Sequence, residues 1–126
     1  MKFTEHRDPS INMIHHYQPG LVKVNQHEIS QSCIITQQSL MKNWPVNDLA
    51  DLDESNLQML LDLKPEVLLL GCGETQVFPA PNLFALCARQ GVSLEVMNNA
   101  AACRTYNVLT TEEREVVLGL IIERTT

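Results

Sequence analysis

The residues of this sequence that are best suited to chemistry lie together in one run, 98–109. Two asparagines and three alanines lead into Cys103 and Arg104, and Thr105-Tyr106-Asn107 follows them. A thiol that lies near the amino terminus of a helix and beside a guanidinium can be held as a thiolate, the reactive form of cysteine. The run therefore offers the residue types for a nucleophile, and equally those for an internal polar network.

A cysteine nucleophile also needs a positioned base. The four histidines all lie in the amino-terminal third of the chain: His6, His15, His16 and His27. A phosphate loop of the Cys-x5-Arg kind would require an arginine at position 109, which is Leu109. We therefore assign no catalytic residue and predict that the Ala-Cys run serves packing.

Arg104 has two interpretations. In the first, Arg104 joins Tyr106 and Asn107 in a satisfied network that ties the helix to the loop at Gly71. In the second, Arg104 or Tyr106 is presented at a pocket or a partner surface, where arginine and tyrosine are favoured anchors. We expect the internal role for Arg104, because it lies in the densest run of small residues in the chain.

A second group of unusual residues, Gly71-Cys72-Gly73, follows a continuous apolar run at 67–70. Such a run is typical of a strand covered on both faces, so this strand should lie centrally in a parallel region. The glycines do not form a dinucleotide fingerprint, because Gln76 stands where a third glycine is required, and no P-loop lysine follows. We predict a turn that needs a positive φ or permits a close approach, with an anion-binding loop as the alternative.

Both groups should lie at the carboxyl edge of one sheet, because each follows a predicted strand. Ligands of open α/β sheets bind in the crevice beyond that edge. The candidate pocket or interface comprises eight residues: Gly71, Cys72, Gly73, Asn98, Asn99, Cys103, Arg104 and Tyr106. If a cleft opens between 71–73 and 99–104, the alternative function is an enzyme that binds a small molecule or an anion there.

The stretches Leu69-Leu70-Gly71-Cys72-Gly73 and 101–109 resemble a family of small domains of unknown function in bacteria and archaea. The mitochondrial member of that family is complex I assembly factor 3. Weaker matches are Tyr17-x-x-Gly20 and Trp44, and the resemblance extends over about 11–122. The resemblance implies a layered α/β fold. It also implies an assembly-factor-like module rather than an enzyme, one that binds a protein partner, which can be membrane-associated.

Two positions depart from the family pattern. Relatives commonly have Met-Asp-Thr where this chain has Met97-Asn98-Asn99, and a threonine where it has Cys72. The missing carboxylate argues against an acid–base role at that position.

Composition and charge narrow the class of protein. Hydrophobic residues make up 44% and charged residues 19% of the 126, which is typical of a globular chain with one core. The net charge of −6, with only nine scattered Lys and Arg, argues against nucleic-acid binding. The four cysteines lie far apart and have no zinc-ligand spacing, so we expect reduced thiols, no metal and no cofactor.

The sequence also bears on location. No apolar run approaches the roughly 20 residues needed to span a bilayer. The segment 1–8 is charged and lacks the apolar stretch of a signal peptide. We therefore expect a cytoplasmic protein without direct membrane insertion, and we leave homo-oligomerisation open.

The elements that must position these residues suggest a layered α/β fold in a single domain over 1–126. The resemblance to the family implies a family core at about 11–122. An amino-terminal β layer should pack against a mixed central sheet with helices. Predicted strands are 11–17, 21–24, 28–37, 67–70 and 92–97. Predicted helices are 56–62, 82–90, 99–109 and, opened by Thr110-x-x-Glu113, a last helix over 110–124.

Overall fold

The structure, a computed structural model, describes residues 11–123. The segment 1–8, which was predicted to be no signal peptide and which contains His6, lies outside that range. So does residue 124, the predicted end of the last helix. Residues 11–123 form eight strands in two sheets and three α-helices, which confirms the mixed α/β class with a second β layer.

The smaller sheet is an antiparallel meander at the amino-terminal end. Strand β1 (Ile14–Gln18) pairs with β2 (Leu21–Val24), and β2 pairs with β3 (His27–Ile29). Gly20 makes the first turn with a φ of 87°, a value that glycine adopts without strain. The predicted hairpin is therefore confirmed.

The larger sheet has the order β5-β4-β8-β6-β7. Its strands are β4 (Cys33–Thr36), β5 (Leu40–Met41), β6 (Val67–Gly71), β7 (Leu94–Met97) and β8 (Val116–Leu120). Strand β6 runs parallel to both of its neighbours, β7 and β8, whereas β4 is antiparallel to β8. The prediction of a central strand in a parallel region is confirmed.

The predicted long strand over 28–37 is wrong, because the chain changes sheets within it. Residues 27–29 belong to the small sheet and 33–36 to the large one. Ser32 lies between these two strands, and its hydroxyl accepts a hydrogen bond from the Ile122 N–H at 2.9 Å. The polar residues 30–32 separate the two strands, but the local sequence does not encode which sheet each strand joins.

The predicted last helix over 110–124 is also wrong. The preceding helix continues to Thr111, Glu113 turns the chain with a φ of 64°, and Val116–Leu120 is strand β8. All five residues of β8 are buried, because the strand lies between β4 and β6. An apolar run that is buried on both faces has no period that separates strand from helix.

Three helices complete the fold: α1 (Glu54–Leu61), α2 (Pro81–Arg89) and α3 (Asn99–Thr111). Each lies within two residues of its predicted bounds. The Asp53 side chain caps α1 by accepting from the Asn56 N–H, and Asn98 caps α3 by accepting from the Ala101 N–H.

The helices lie on opposite faces of the large sheet. Leu68 and Leu70 of β6 share one apolar cluster with α1 and α2. Leu69, whose side chain points the other way, shares a second cluster with α3 and the small sheet. The candidate residues 71–73 and 98–99 lie at the carboxyl ends of the parallel strands β6 and β7 of the large sheet.

Candidate functional site

Gly71, the last residue of β6, lies in close contact with α3. A Cβ atom at this position would lie 2.6 Å from Asn99 Oδ1, 2.7 Å from Leu120 Cδ1 and 3.3 Å from Ala102 Cβ. Gly73 serves the turn instead, with a φ of 120°. The predicted close approach is therefore confirmed at Gly71 and the predicted positive φ at Gly73. Of the three alanines, Ala102 is the one that packs in the core, with no exposed surface.

Cys72 fastens the loop that follows β6. Its sulfur accepts a hydrogen bond from the Val77 N–H at 3.3 Å. The thiol lies 3.3 Å from the Met97 carbonyl oxygen and 3.4 Å from that of Thr75, and can donate to either. Only 7% of Cys72 is exposed. Its thiol therefore stabilises the loop through these hydrogen bonds.

Asn99 is the polar centre of the site and is 1% exposed. Its Oδ1 accepts from the Gly73 N–H at 3.0 Å, and its backbone N–H donates to the Gly73 carbonyl at 2.8 Å. Its Nδ2 donates to the Ile121 carbonyl at 2.8 Å and to the Tyr17 hydroxyl at 3.0 Å. One amide thereby joins α3, the β6 loop, the segment after β8, and β1.

Tyr17 and Glu74 complete this network, although the sequence interpretation assigned no role to either. The Tyr17 hydroxyl donates a hydrogen bond to Glu74 Oε2. Burial, and then the Glu74 carboxylate, raise the pKa of Tyr17 far above its ordinary value, so the hydroxyl keeps its proton. The signal in the sequence was the weak match Tyr17-x-x-Gly20.

Cys103 is a core residue, as the packing interpretation predicted. It is 4% exposed, and burial raises the pKa of its thiol to about 12, against a smaller opposing effect of Arg104. Its thiolate is therefore scarce at neutral pH, which argues against the nucleophile considered above.

The expectation that Arg104 lies inside a polar network is wrong. Arg104 is exposed, and it forms no hydrogen bond or ion pair with residues 11–123. It lies on the face of α3 that also carries Ala100 and Val108, because side chains four residues apart share a helix face. Val108 is 56% exposed.

The internal network predicted for the end of the run exists, but it ties α3 to β1 instead of the Gly71 loop. The Tyr106 hydroxyl donates to the Asn12 carbonyl at 2.9 Å, and burial raises the pKa of Tyr106 to about 12. Asn107 binds both backbone groups of Ile14: its Oδ1 accepts from the N–H at 3.0 Å and its Nδ2 donates to the C=O at 2.7 Å. The Asn107 side chain thus joins α3 to strand β1 of the small sheet.

A cleft of about 730 Å³ lies at this edge, but not where it was predicted. Between 71–73 and 99–104 the backbones and Asn99 are in direct contact, so that space is filled. The cleft opens on the other side of Cys72 and Gly73. It is bounded by the loop 72–77, the turn at 19–20 and the segment 121–123. Arg104 and Tyr106 do not line it.

The model of a family described as a protein of unknown function (DUF498/DUF598) matches residues 14–121. The chain belongs to this family. The 13 kDa major membrane protein of Francisella tularensis is 30% identical over 101 residues, which are 79% of this chain and 82% of that protein. The NADH dehydrogenase (ubiquinone) 1 alpha subcomplex assembly factor 3 of Xenopus tropicalis is 28% identical over 78% of this chain.

The chain covers 54% of that assembly factor, about half of its length. A solution structure of a Mth938-like domain from Bordetella pertussis superposes with a TM-score of 0.83 at 29% identity, over 100% of this chain and 95% of that one. These comparisons confirm the predicted relationship and the α/β fold. Within residues 11–123, every helix is too short or too polar to cross a bilayer.

Proposed function

We propose that this member of the DUF498/DUF598 family is an assembly-factor-like module that binds a protein partner through the exposed face of α3. The observation that carries the proposal is Arg104, an exposed guanidinium without a hydrogen bond or ion pair to residues 11–123. The exposed Val108 lies one turn further along the same face. Arginine beside an apolar side chain is a common anchor at protein interfaces.

The buried face of α3 supports this role because it holds the helix rigidly. Cys103 and Tyr106 are buried against the sheet, and Asn99 and Asn107 bind neighbouring elements by hydrogen bonds. A surface that is already ordered loses little conformational freedom on binding. The Arg104 face would therefore act as a pre-formed platform.

The names of two relatives support the class of partner. One is an assembly factor for a subcomplex of NADH dehydrogenase and the other a membrane protein. We infer a protein partner, with membrane-associated proteins the first to test, and a cytoplasmic module that itself neither inserts into the bilayer nor binds nucleic acid.

Affinity capture with a matched pair of charge reversals tests the proposal. The tagged full chain, Arg104→Glu and Arg89→Glu are incubated with extract of the source organism under gentle crosslinking. Arg89 is an exposed arginine at the end of α2, on the opposite face of the sheet. We expect Arg104→Glu alone to lose a protein that the other two retain. Equal recovery by all three variants, or recovery of the chain alone, would refute the α3 face as the interface.

A further inference from the structure

The loop that follows β6 presents two apolar side chains to solvent. Phe78 is 64% exposed and Val77 is 50% exposed, yet both are held in place. The Val77 N–H donates to Cys72 Sγ, and the Phe78 ring lies 6.4 Å from the Phe84 ring, tilted by 48°. Gln76 anchors the middle of the loop by donating to the Val96 carbonyl at 2.9 Å. An ordered apolar projection of this kind is a common mark of an interaction site.

Val77 also lines the 730 Å³ cleft, so the projection and the cleft form one continuous surface. Leu49, Ile121 and Ile122 supply further apolar lining. The charged residues among the described lining are two carboxylates, Glu74 and Glu123, without a lysine or arginine. The cleft thus combines an apolar wall with negative charge.

Glu74 is oriented for pairing with a cation. Its Oε2 accepts from the Tyr17 hydroxyl, which is itself fixed by Asn99. Its Oε1 forms no hydrogen bond with the described residues and remains available. A carboxylate whose position is already set by a hydrogen bond needs little ordering when it pairs with an incoming charge.

The surrounding chain extends the negative charge. Every charged residue from 43 to 63 is acidic, and this segment includes Leu49 of the cleft. In the first turn of α2, which follows the loop that carries Phe78, the Asn82 side chain donates to Glu54 Oε2 at 3.0 Å. The potential of such a surface favours a positively charged partner.

We propose that Val77, Phe78 and the adjoining cleft are a docking surface for a basic segment of a partner protein that carries an apolar side chain. The apolar side chain packs on Val77 and Phe78 and enters the cleft. The lysines or arginines of the segment pair with Glu74 and Glu123. This surface is separate from the Arg104 face and of opposite charge, so the inference does not rest on the function proposed above.

Fluorescence anisotropy with the full chain tests the proposal. The probe is a labelled peptide of leucine and lysine in helical periodicity, and the comparison peptides replace either leucine by serine or lysine by glutamate. We expect the leucine–lysine peptide alone to bind well. Phe78→Ser and Glu123→Gln should each weaken its binding roughly five- to tenfold, or ~1–1.4 kcal/mol. Glu123 takes no part in the Tyr17–Glu74–Asn99 network, so Glu123→Gln leaves that network intact.

Two matched controls remove equivalent groups elsewhere. Leu63→Ser alters another exposed apolar side chain, 44% exposed, and Glu115→Gln alters an exposed carboxylate at the opposite end of β8. Both should bind the peptide within about twofold of the unmodified chain. Arg104→Ala should also bind it normally, which separates this proposal from the previous one.

Several results would overturn the inference. These are equal binding of the leucine–glutamate peptide, or insensitivity to Phe78→Ser and Glu123→Gln. Spermine binding that depends on Glu123 but not on Phe78 would instead indicate a small-cation site. Dimerisation that Phe78→Ser abolishes would assign the surface to a second copy, and binding of anionic lipid vesicles through Phe78 would assign it to a membrane. Each of these rules out the basic protein segment.

Discussion

Replacing Gly71 by alanine should destabilise the protein by roughly 1.5–5.5 kcal/mol. The new Cβ would lie 2.6 Å from Asn99 Oδ1 and 2.7 Å from Leu120 Cδ1, and contacts below 3.0 Å force a neighbour to move. Overpacking of this kind costs ~1–3 kcal/mol. Displacing the Asn99 amide leaves the Gly73 N–H without its acceptor, at a cost of ~1–3 kcal/mol. The lower entropy of the unfolded chain returns about 0.5 kcal/mol.

Thermal unfolding followed by circular dichroism measures this change, which corresponds to a melting temperature lower by on the order of 10 °C. A double-mutant cycle with Asn99→Ala tests the cause. If Gly71→Ala acts through Asn99, its cost in the Asn99→Ala background should fall by at least about 1 kcal/mol. A Gly71→Ala variant as stable as the unmodified chain, or an equal cost in both backgrounds, would refute the close-approach argument.

Three further predictions follow from burial. Ala102→Leu should destabilise by ~1–3 kcal/mol because Ala102 has no exposed surface, whereas Ala100→Leu on the exposed face should change the melting temperature little. Burial raises the pKa of the Cys33 and Cys103 thiols to about 12, so the stability linked to their protonation is present below about pH 9 and lost as the pH rises toward 12. Urea titrations across that range should show a free energy of unfolding that falls as the pH rises, and iodoacetamide should label Cys103 far more slowly in the folded than in the unfolded chain. Arg104→Ala should leave stability within about 0.5 kcal/mol, since the side chain pairs with none of residues 11–123; a larger loss would restore the internal role.

Most elements up to α3 could be predicted because local signals agree there, apart from the change of sheets within 28–37. Pro81 and Gly91 bracket α2, Asn98 caps α3, and the apolar run of β6 is flanked by Pro65 and Gly71. The error at 116–120 arises from pairing that the local sequence does not encode. Residues 116–120 become a strand because β4 and β6 leave a gap between them, and both partners lie more than 40 residues away in the chain.

Only part of the candidate site could be predicted, because some of its residues carry a local signal and others depend on distant contacts. Gly71 and Gly73 carry their own signal, since glycine is required for close approach and for a positive φ. The exposure of Arg104 depends on how α3 is rotated about its axis, and alanines on both sides of the helix give no amphipathic pattern to fix it. The contact between Tyr17 and Glu74 joins two sheets across 57 residues, and only the folded chain reveals it.

Site-specific photo-crosslinking tests the central claim, that the exposed face of α3 contacts a protein, most directly. A photoreactive phenylalanine analogue replaces Val108 in one variant and Leu63, another surface-exposed apolar residue away from α3, in a second variant. Both variants should melt like the unmodified chain. We predict that irradiation in extract yields a discrete protein adduct from position 108, lost when Arg104→Glu is added, and none from position 63. Adducts that are equal at the two positions, or absent at 108, would contradict the account.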